Sequence, residues 1–78
     1  MNKQRRKELR KIKDKLIDIQ TELENIKEQE EEAYENMPDS LKNTEKGQKM
    51  EEGISSLDGA YDIINDAISY IEEVTEEG

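Results

Sequence analysis

Apolar residues recur every three or four positions in two stretches of the chain, one on each side of a break at residues 36–40. Alternating steps of three and four are typical of a coiled-coil helix, whereas a half-buried strand alternates at every second residue. Each stretch therefore predicts a long amphipathic helix with one apolar seam. The seam positions are Leu9, Ile12, Leu16, Ile19, Leu23 and Ile26 before the break, and Met50, Ile54, Leu57, Tyr61, Ile64, Ile68 and Ile71 after it.

The two seams match each other if the chain folds back at the break. Leu9 then faces Ile71, Ile26 faces Ile54, and in each of the six pairs the residue numbers sum to 80, so no layer slips out of register. Pro38 ends the first helix because the residue before a proline is held outside the helical region. The pattern predicts an all-α antiparallel hairpin forming a single domain (1–78), with helix 1 at about 3–36, a turn at 37–43 and helix 2 at about 44–75.

The charge pattern supports the same antiparallel arrangement. Residues 1–15 carry eight Lys or Arg side chains and two acids, whereas residues 51–78 carry nine acids and no Lys or Arg. Folding back places the basic start beside the acidic end, and opposite charges attract there. A content of 31% hydrophobic and 42% charged residues would alone suggest disorder. The regular apolar spacing argues for helices instead.

Three glycines, Gly47, Gly53 and Gly59, lie inside the predicted second helix. Each costs about 1 kcal/mol relative to Ala in a helix interior. Gly47 falls opposite Ala33 in the same register, which would allow a close approach of the two helices. Alternatively, the first turns of helix 2 fray, and the sequence leaves both explanations open.

Helix 2 carries more apolar surface than one neighbouring helix covers. The seam and a second stripe beside it span roughly 160° of the helix, where one neighbour needs little more than about 100°. The simplest cover is a second copy of the chain, packed helix 2 on helix 2 in an antiparallel four-helix bundle. A different protein using the same stripe is the alternative. The second stripe, predicted to be the interface of a homodimer or higher oligomer, consists of Ala60, Ile63, Ala67, Tyr70 and Val74.

Residue types that most catalytic and metal sites need are missing. The chain has no His and no Cys, so Ser55 and Ser56 lack a base and zinc or haem lacks its usual ligands. The acidic run at residues 28–35 lacks the loop spacing of a calcium site, and no glycine-rich phosphate loop occurs. We therefore expect a protein that is not an enzyme and has no metal and no cofactor.

No run of residues approaches the roughly 18 apolar residues of a membrane span, and no apolar stretch follows the basic start as it does in a signal peptide. We therefore expect a cytoplasmic protein with no membrane contact.

Three surfaces are candidates for binding a partner. Residues 1–15 could contact phosphates, but the acids of helix 2 lie beside them and Phe, Trp and His are absent for base stacking, so we expect no direct nucleic-acid binding. The acids on the outward face of helix 2 resemble a row of phosphates, although they also serve simply to keep a small bundle soluble. The tip either binds a partner or caps the open end of the hairpin. The tip and acidic-face candidates are Tyr34, Asn36, Met37, Ser40, Leu41, Asp58, Asp62 and Asp66.

One stretch of the sequence is distinctive beyond its heptads and charges. It reads Glu31-Glu32-Ala33-Tyr34-Glu35-Asn36-Met37-Pro38-Asp39-Ser40-Leu41, followed by Thr44-Glu45-Lys46-Gly47 and Met50-Glu51-Glu52. With the basic start and the acidic final helix, it resembles a group of small acidic helical proteins encoded by phages and mobile elements of Gram-positive bacteria. The resemblance covers about residues 3–74. That group has no settled activity, so the resemblance implies a setting in which small proteins bind host factors, including defence proteins or their nucleotide signals.

Together these observations favour a non-enzymatic binding protein that modulates or inhibits a host protein, such as a defence or nucleic-acid-binding protein, through its acidic helical surface or its tip. Two alternatives stay open. One is an oligomeric sponge that buries a small anionic nucleotide between protomers and uses Arg5 and Arg6. The other is a purely structural coiled-coil assembly module, for which neutral substitutions on the acidic face change nothing.

Overall fold

The structure, a computed structural model, describes residues 1–76 and contains two long helices joined by a short one. Helix α1 spans Lys3–Glu35, α2 spans Asp39–Lys42 and α3 spans Glu45–Thr75. The long helices α1 and α3 pack against each other, and α2 packs against α3. The molecule is a rod about 58 Å long and 14 by 13 Å across. The prediction of an all-α chain with two long helices packed together is confirmed.

Helix α1 begins and ends at residues that satisfy its backbone groups. The Asn2 side-chain oxygen accepts a hydrogen bond of 2.8 Å from the backbone N–H of Arg5, which caps the first turn. Helix α1 stops at Glu35 because Pro38 cannot continue it. The Pro38 carbonyl instead accepts N–H bonds from Leu41 and Lys42, at 2.9 and 3.1 Å. The segment expected to be a plain turn therefore contains one turn of helix, α2.

Gly47 allows α2 to lie against the first turn of α3. It is buried, and a Cβ atom added to it would lie 2.2 Å from the carbonyl oxygen of Lys42. Ala33, the neighbour expected from the sequence, is exposed. The close approach at Gly47 is thus made by the α2 backbone and not by α1. At Gly53 and Gly59 an added Cβ would meet nothing within 4 Å.

Helix α3 turns its predicted seam toward α1. The seven seam residues from Met50 to Ile71 are all buried or half-buried. Ile68, at 7% exposure, is the one apolar side chain among residues 1–76 that is classed as buried. The interior is thin because two helices can cover each other on one side only.

Helix α1 is rotated relative to the seam predicted for it. Its leucine column (Leu9, Leu16 and Leu23) is half-buried against α3, but its isoleucine column (Ile12, Ile19 and Ile26) is 45–53% exposed. The expected layers joining the isoleucine column to α3 are therefore absent from the hairpin, and this part of the predicted core is wrong for the single chain. The side chains that face α3 in their place follow each isoleucine by one position: Lys13, Gln20 and Lys27.

Candidate functional site

Four polar pairs join α1 to α3 at intervals of seven residues, and we call them the polar ladder. In every pair the two residue numbers sum to 85, so the pairs follow one straight line along the rod. The ladder explains why α1 is rotated, because each polar side chain that α1 turns toward α3 has a hydrogen-bond or ion-pair partner there. The pairs are Lys13–Glu72 at 3.9 Å, Gln20–Asn65 at 3.2 Å, Lys27–Asp58 at 2.9 Å, and the Tyr34 hydroxyl donating to Glu51.

Gln20 is the most buried member of the ladder. It is 9% exposed, and its Nε2 atom donates to Oδ1 of Asn65 at 3.2 Å and lies 3.5 Å from the carbonyl oxygen of Tyr61. Within residues 1–76, no buried side-chain nitrogen or oxygen lacks a hydrogen-bond partner. The signal that could have located the ladder is the matched seven-residue spacing of polar residues on both helices.

The ladder shifts the pKa of two of its members. The hydrogen bond to Asp58, assisted by the nearby charges of that residue, Glu24 and Glu31, raises the pKa of Lys27, although desolvation opposes this. The hydrogen bond to Glu51 raises the pKa of Tyr34, because a tyrosinate could not donate to a carboxylate. Both groups therefore keep their protons to a higher pH than an unperturbed lysine or tyrosine does.

An apolar face lies on the side of the rod opposite the ladder. Each isoleucine of α1 precedes a ladder residue by one position, about 100° around the helix, so the two columns point to opposite sides of the leucine column. The same reasoning places the predicted second stripe of α3 on the isoleucine side. Ile63 and Tyr70 are 70% and 69% exposed. The apolar face comprises Ile12, Ile19, Ile26, Ala60, Ile63, Ala67, Tyr70 and Val74.

A groove opens at the end of this face nearer the tip. Its volume is about 850 Å³, and its floor includes Met50, Gly53, Ser56 and Leu57. The space where Gly53 would carry a side chain is open, with no atom within 4 Å. The rim is charged and includes Lys46 and Lys49. The groove therefore combines an apolar floor with space for a bulky side chain.

The third surface is the outward face of α3, where acids are exposed. Asp62, Asp66, Glu73 and Glu76 form what we call the acidic row, and within residues 1–76 none of the four makes an ion pair. Asp58, predicted to belong to this face, lies in the ladder and pairs with Lys27. The row stands on a rigid helix, so the spacing of its charges is preset.

The tip is only partly available for contacts. Tyr34 is half-buried, its hydroxyl donates to Glu51, and the Lys42 ammonium lies 5.3 Å from its ring centre, within the range of a cation–π contact. Met37 is half-buried as well. The remaining tip candidates, Asn36, Ser40 and Leu41, are exposed. The aromatic side chain of the tip thus closes the hairpin.

The basic start contacts α3 less than its charge suggests. Among residues 1–76, Arg10 donates to the Thr75 carbonyl at 2.9 Å and Lys13 pairs with Glu72 at 3.9 Å. Arg6 donates to the Met1 carbonyl at 2.7 Å, and Arg5 is exposed. Part of the positive charge at this end is therefore exposed on the surface of the single hairpin.

Within the described part of the chain, no group of three or more His, Cys, Asp or Glu side chains is arranged to hold a metal ion. No helix within residues 1–76 is both long enough and apolar enough to cross a membrane. Comparison of the chain with known protein families, with characterised proteins and with solved structures finds no match.

Proposed function

We propose that this protein is a non-enzymatic binding module that assembles through its apolar face and binds the basic surface of a partner protein with its acidic row. The observation that carries the proposal is the division of α3 into three faces of different chemistry. One face packs on α1, the second exposes Ile63 and Tyr70, and the third exposes unpaired acids. Two exposed faces of opposite character on one rigid helix suit assembly on one side and recognition on the other.

Self-assembly is supported by the amount of apolar surface that the single hairpin leaves in water. Six large side chains of the apolar face are 39–70% exposed, whereas Ile68 is the one buried apolar side chain among residues 1–76. An antiparallel four-helix bundle made from two hairpins would give the leucine and isoleucine columns a shared core. The assembled form is expected to be much more stable than the lone hairpin.

Recognition by the acidic row is supported by its spacing and by the absence of compensating bases. Neighbouring acids one turn apart, such as Asp62 and Asp66, lie about 5–6 Å from each other, comparable to a row of phosphates. A basic groove that binds nucleic acid would accept such a surface, with association that weakens as salt rises. In the setting of a phage or mobile element, the partner would be a host protein in the cytoplasm.

The test compares two variants with the same change in charge. In the first, Asp62→Asn, Asp66→Asn and Glu73→Gln neutralise the acidic row. The second variant neutralises three exposed acids on α1 by the changes Glu22→Gln, Glu28→Gln and Glu32→Gln. Tagged wild-type and variant proteins capture partners from lysate of a Gram-positive host, and bound proteins are quantified at low and high salt.

We expect the wild type and the α1 variant to retain the same protein at low salt and to release it at high salt, and the acidic-row variant to retain none. Equal capture by all three would show that the acidic row is not the recognition surface. Circular dichroism checks that each variant keeps its helices.

A further inference from the structure

The apolar face of this hairpin is complementary to itself. Its α1 members, residues 12, 19 and 26, are evenly spaced about Ile19. On α3, Ala60 and Ala67 lie three and four positions on either side of Ile63, and Val74 of the face and Gly53 of the groove floor lie eleven and ten positions from it. A surface that repeats itself in reverse about a central point is what an isologous two-fold interface requires.

The two central points lie at the same height along the rod. Gln20 of α1 contacts Tyr61 and Asn65 of α3. Residues at the same height on the two antiparallel helices therefore have numbers that sum to between 81 and 85. Ile19 and Ile63, whose numbers sum to 82, fall within this range and are therefore side by side. One two-fold axis can pass close to both points and relate Ile12 to Ile26 and Ala60 to Ala67.

We infer that the apolar face packs on the same face of a second copy of this chain, about a two-fold axis that crosses the rod at Ile19 and Ile63. This inference rests on the self-assembly in the proposed function and specifies its geometry. Ala60 then meets Ala67 of the second copy, and Ile12 meets its Ile26. Tyr70 reaches the level of Ser56 of the second copy, which places its ring in the groove beside Gly53.

The groove explains why the second helix contains Gly53. The position costs about 1 kcal/mol of helix stability relative to Ala and nothing in the single hairpin requires it, since no atom lies within 4 Å of a Cβ there. A tyrosine ring from a second copy needs that space. Tyr70, at 69% exposure, is the large aromatic side chain that the symmetry brings to it.

Charge selects the antiparallel arrangement over a parallel one. Residues 20–62, the half of the rod nearer the tip, carry thirteen acids and four bases, whereas residues 1–19 and 63–76 carry seven acids and eight bases. The two halves therefore differ in net charge, at −9 and +1. An axis across the rod sets each strongly negative half beside a nearly neutral one, whereas an axis along the rod would stack the two negative halves.

The exposed apolar side chains form one continuous face that a second copy can cover. Six large side chains of the face are 39–70% exposed, and a standard interface buries about 800 Å² per partner, including its polar rim. A second copy covers this surface without any other occupant. The isoleucines of α1 then become core residues of the dimer, although they are surface residues of the hairpin.

Spin labels measure the direction of the packing, and the absence of native cysteine makes single labelling clean. A label at Lys49→Cys lies 14 residues from the axis, so two labels in the antiparallel dimer are about 42 Å apart at about 1.5 Å per residue. A parallel dimer would instead bring the two backbones at position 49 to the spacing of packed helices, about 8–10 Å where the two α3 helices are in contact. A label at Asp18→Cys lies one position from the axis on an exposed residue outside the apolar face, so its intermolecular distance should be nearly the same in either dimer and serves as the control for assembly.

We expect a distance of about 42 Å at position 49, from about 1.5 Å per residue, and a shorter one at position 18. A short distance at both positions would overturn the antiparallel geometry and leave the assembly in place. Absence of any intermolecular coupling, together with a monomer mass by light scattering at every concentration, would overturn this inference and the proposed self-assembly. Recognition by the acidic row would still stand or fall by its own capture experiment.

The groove is tested by substitutions with opposite effects on the hairpin and on the dimer. No atom of the hairpin lies within 4 Å of the Cβ that Gly53→Leu adds, and the change raises helix propensity, yet it should raise the dimer dissociation constant at least about tenfold because the leucine occupies the place of the tyrosine ring. Tyr70→Ala should weaken the dimer similarly, and the matched variant Ser69→Ala should leave it unchanged. A dimer that tolerates Gly53→Leu would show that Tyr70 packs elsewhere.

Discussion

Replacing Gly47 by Ala should destabilise the protein, although the same change elsewhere in α3 should stabilise it. A Cβ atom at position 47 would lie 2.2, 2.6 and 2.7 Å from the carbonyl oxygen, carbonyl carbon and Cα of Lys42. These are backbone atoms, so no side-chain rotation relieves the overlap. Helix α2 would have to move away from the first turn of α3.

The size of the effect follows from two opposing contributions. Ala is favoured over Gly by about 1 kcal/mol in a helix interior. Overpacking in a closely packed site costs about 1–3 kcal/mol, and the upper part of this range applies when the obstacle is backbone. We therefore expect Gly47→Ala to lower the free energy of unfolding by about 2 kcal/mol.

Urea unfolding followed by circular dichroism measures this free energy, with all proteins at one concentration because assembly shifts apparent stability. Gly59→Ala is the matched control, since no atom lies within 4 Å of its added Cβ, and it should raise the free energy of unfolding by about 1 kcal/mol. The two variants should thus move the urea midpoint in opposite directions. If Gly47→Ala is as stable as Gly59→Ala, helix α2 does not lie against Gly47.

Three further predictions concern the polar ladder. Gln20→Leu should raise the free energy of unfolding in urea by about 1 kcal/mol, because leucine burial outweighs the hydrogen bond that is lost; a decrease would contradict this. Lys27→Asp and Asp58→Lys should each lower the melting temperature and the double exchange should recover it, whereas additive losses would refute the pairing. The pKa values of Lys27 and Tyr34 are higher in the folded protein than in the unfolded chain. Their contribution to stability is therefore complete below the unfolded-chain pKa values, which are near about 10, and it is lost as the pH rises through the folded-state pKa values. The melting temperature should fall above about pH 10, less steeply in Tyr34→Phe, and a flat profile to about pH 11 would oppose this role.

The two faces of α1 show where sequence reasoning succeeds and where it stops. Heptad spacing identifies the leucine and isoleucine columns as apolar, but the leucine column lies between the isoleucines and the polar residues of the ladder. Which neighbour turns inward depends on what faces it across the interface. Asn65 of α3 offers Gln20 a hydrogen bond, so the polar column is turned inward and the isoleucines are left at the surface.

The acidic and tip candidates divide in the same way. Helical spacing alone places Asp62 and Asp66 on the outward face, and both are exposed there. Spacing alone also groups Asp58 with them, yet it lies seven residues from Asn65 in the ladder column and pairs with Lys27 at 2.9 Å. A difference of one helical column decides between an exposed charge and an ion pair.

The sequence by itself determined that the chain forms two long helices, where Pro38 ends the first, and that they run antiparallel, because apolar spacing, proline geometry and charge order are local or one-dimensional properties. Only the tertiary structure decided the rotation of α1, the partners in the polar ladder and the contact that requires Gly47. These depend on atoms that are distant in sequence and meet only when helices pack. The physical reason is that periodicity specifies which stripes are apolar, whereas hydrogen-bond partners and steric fit across the interface select which stripe turns inward.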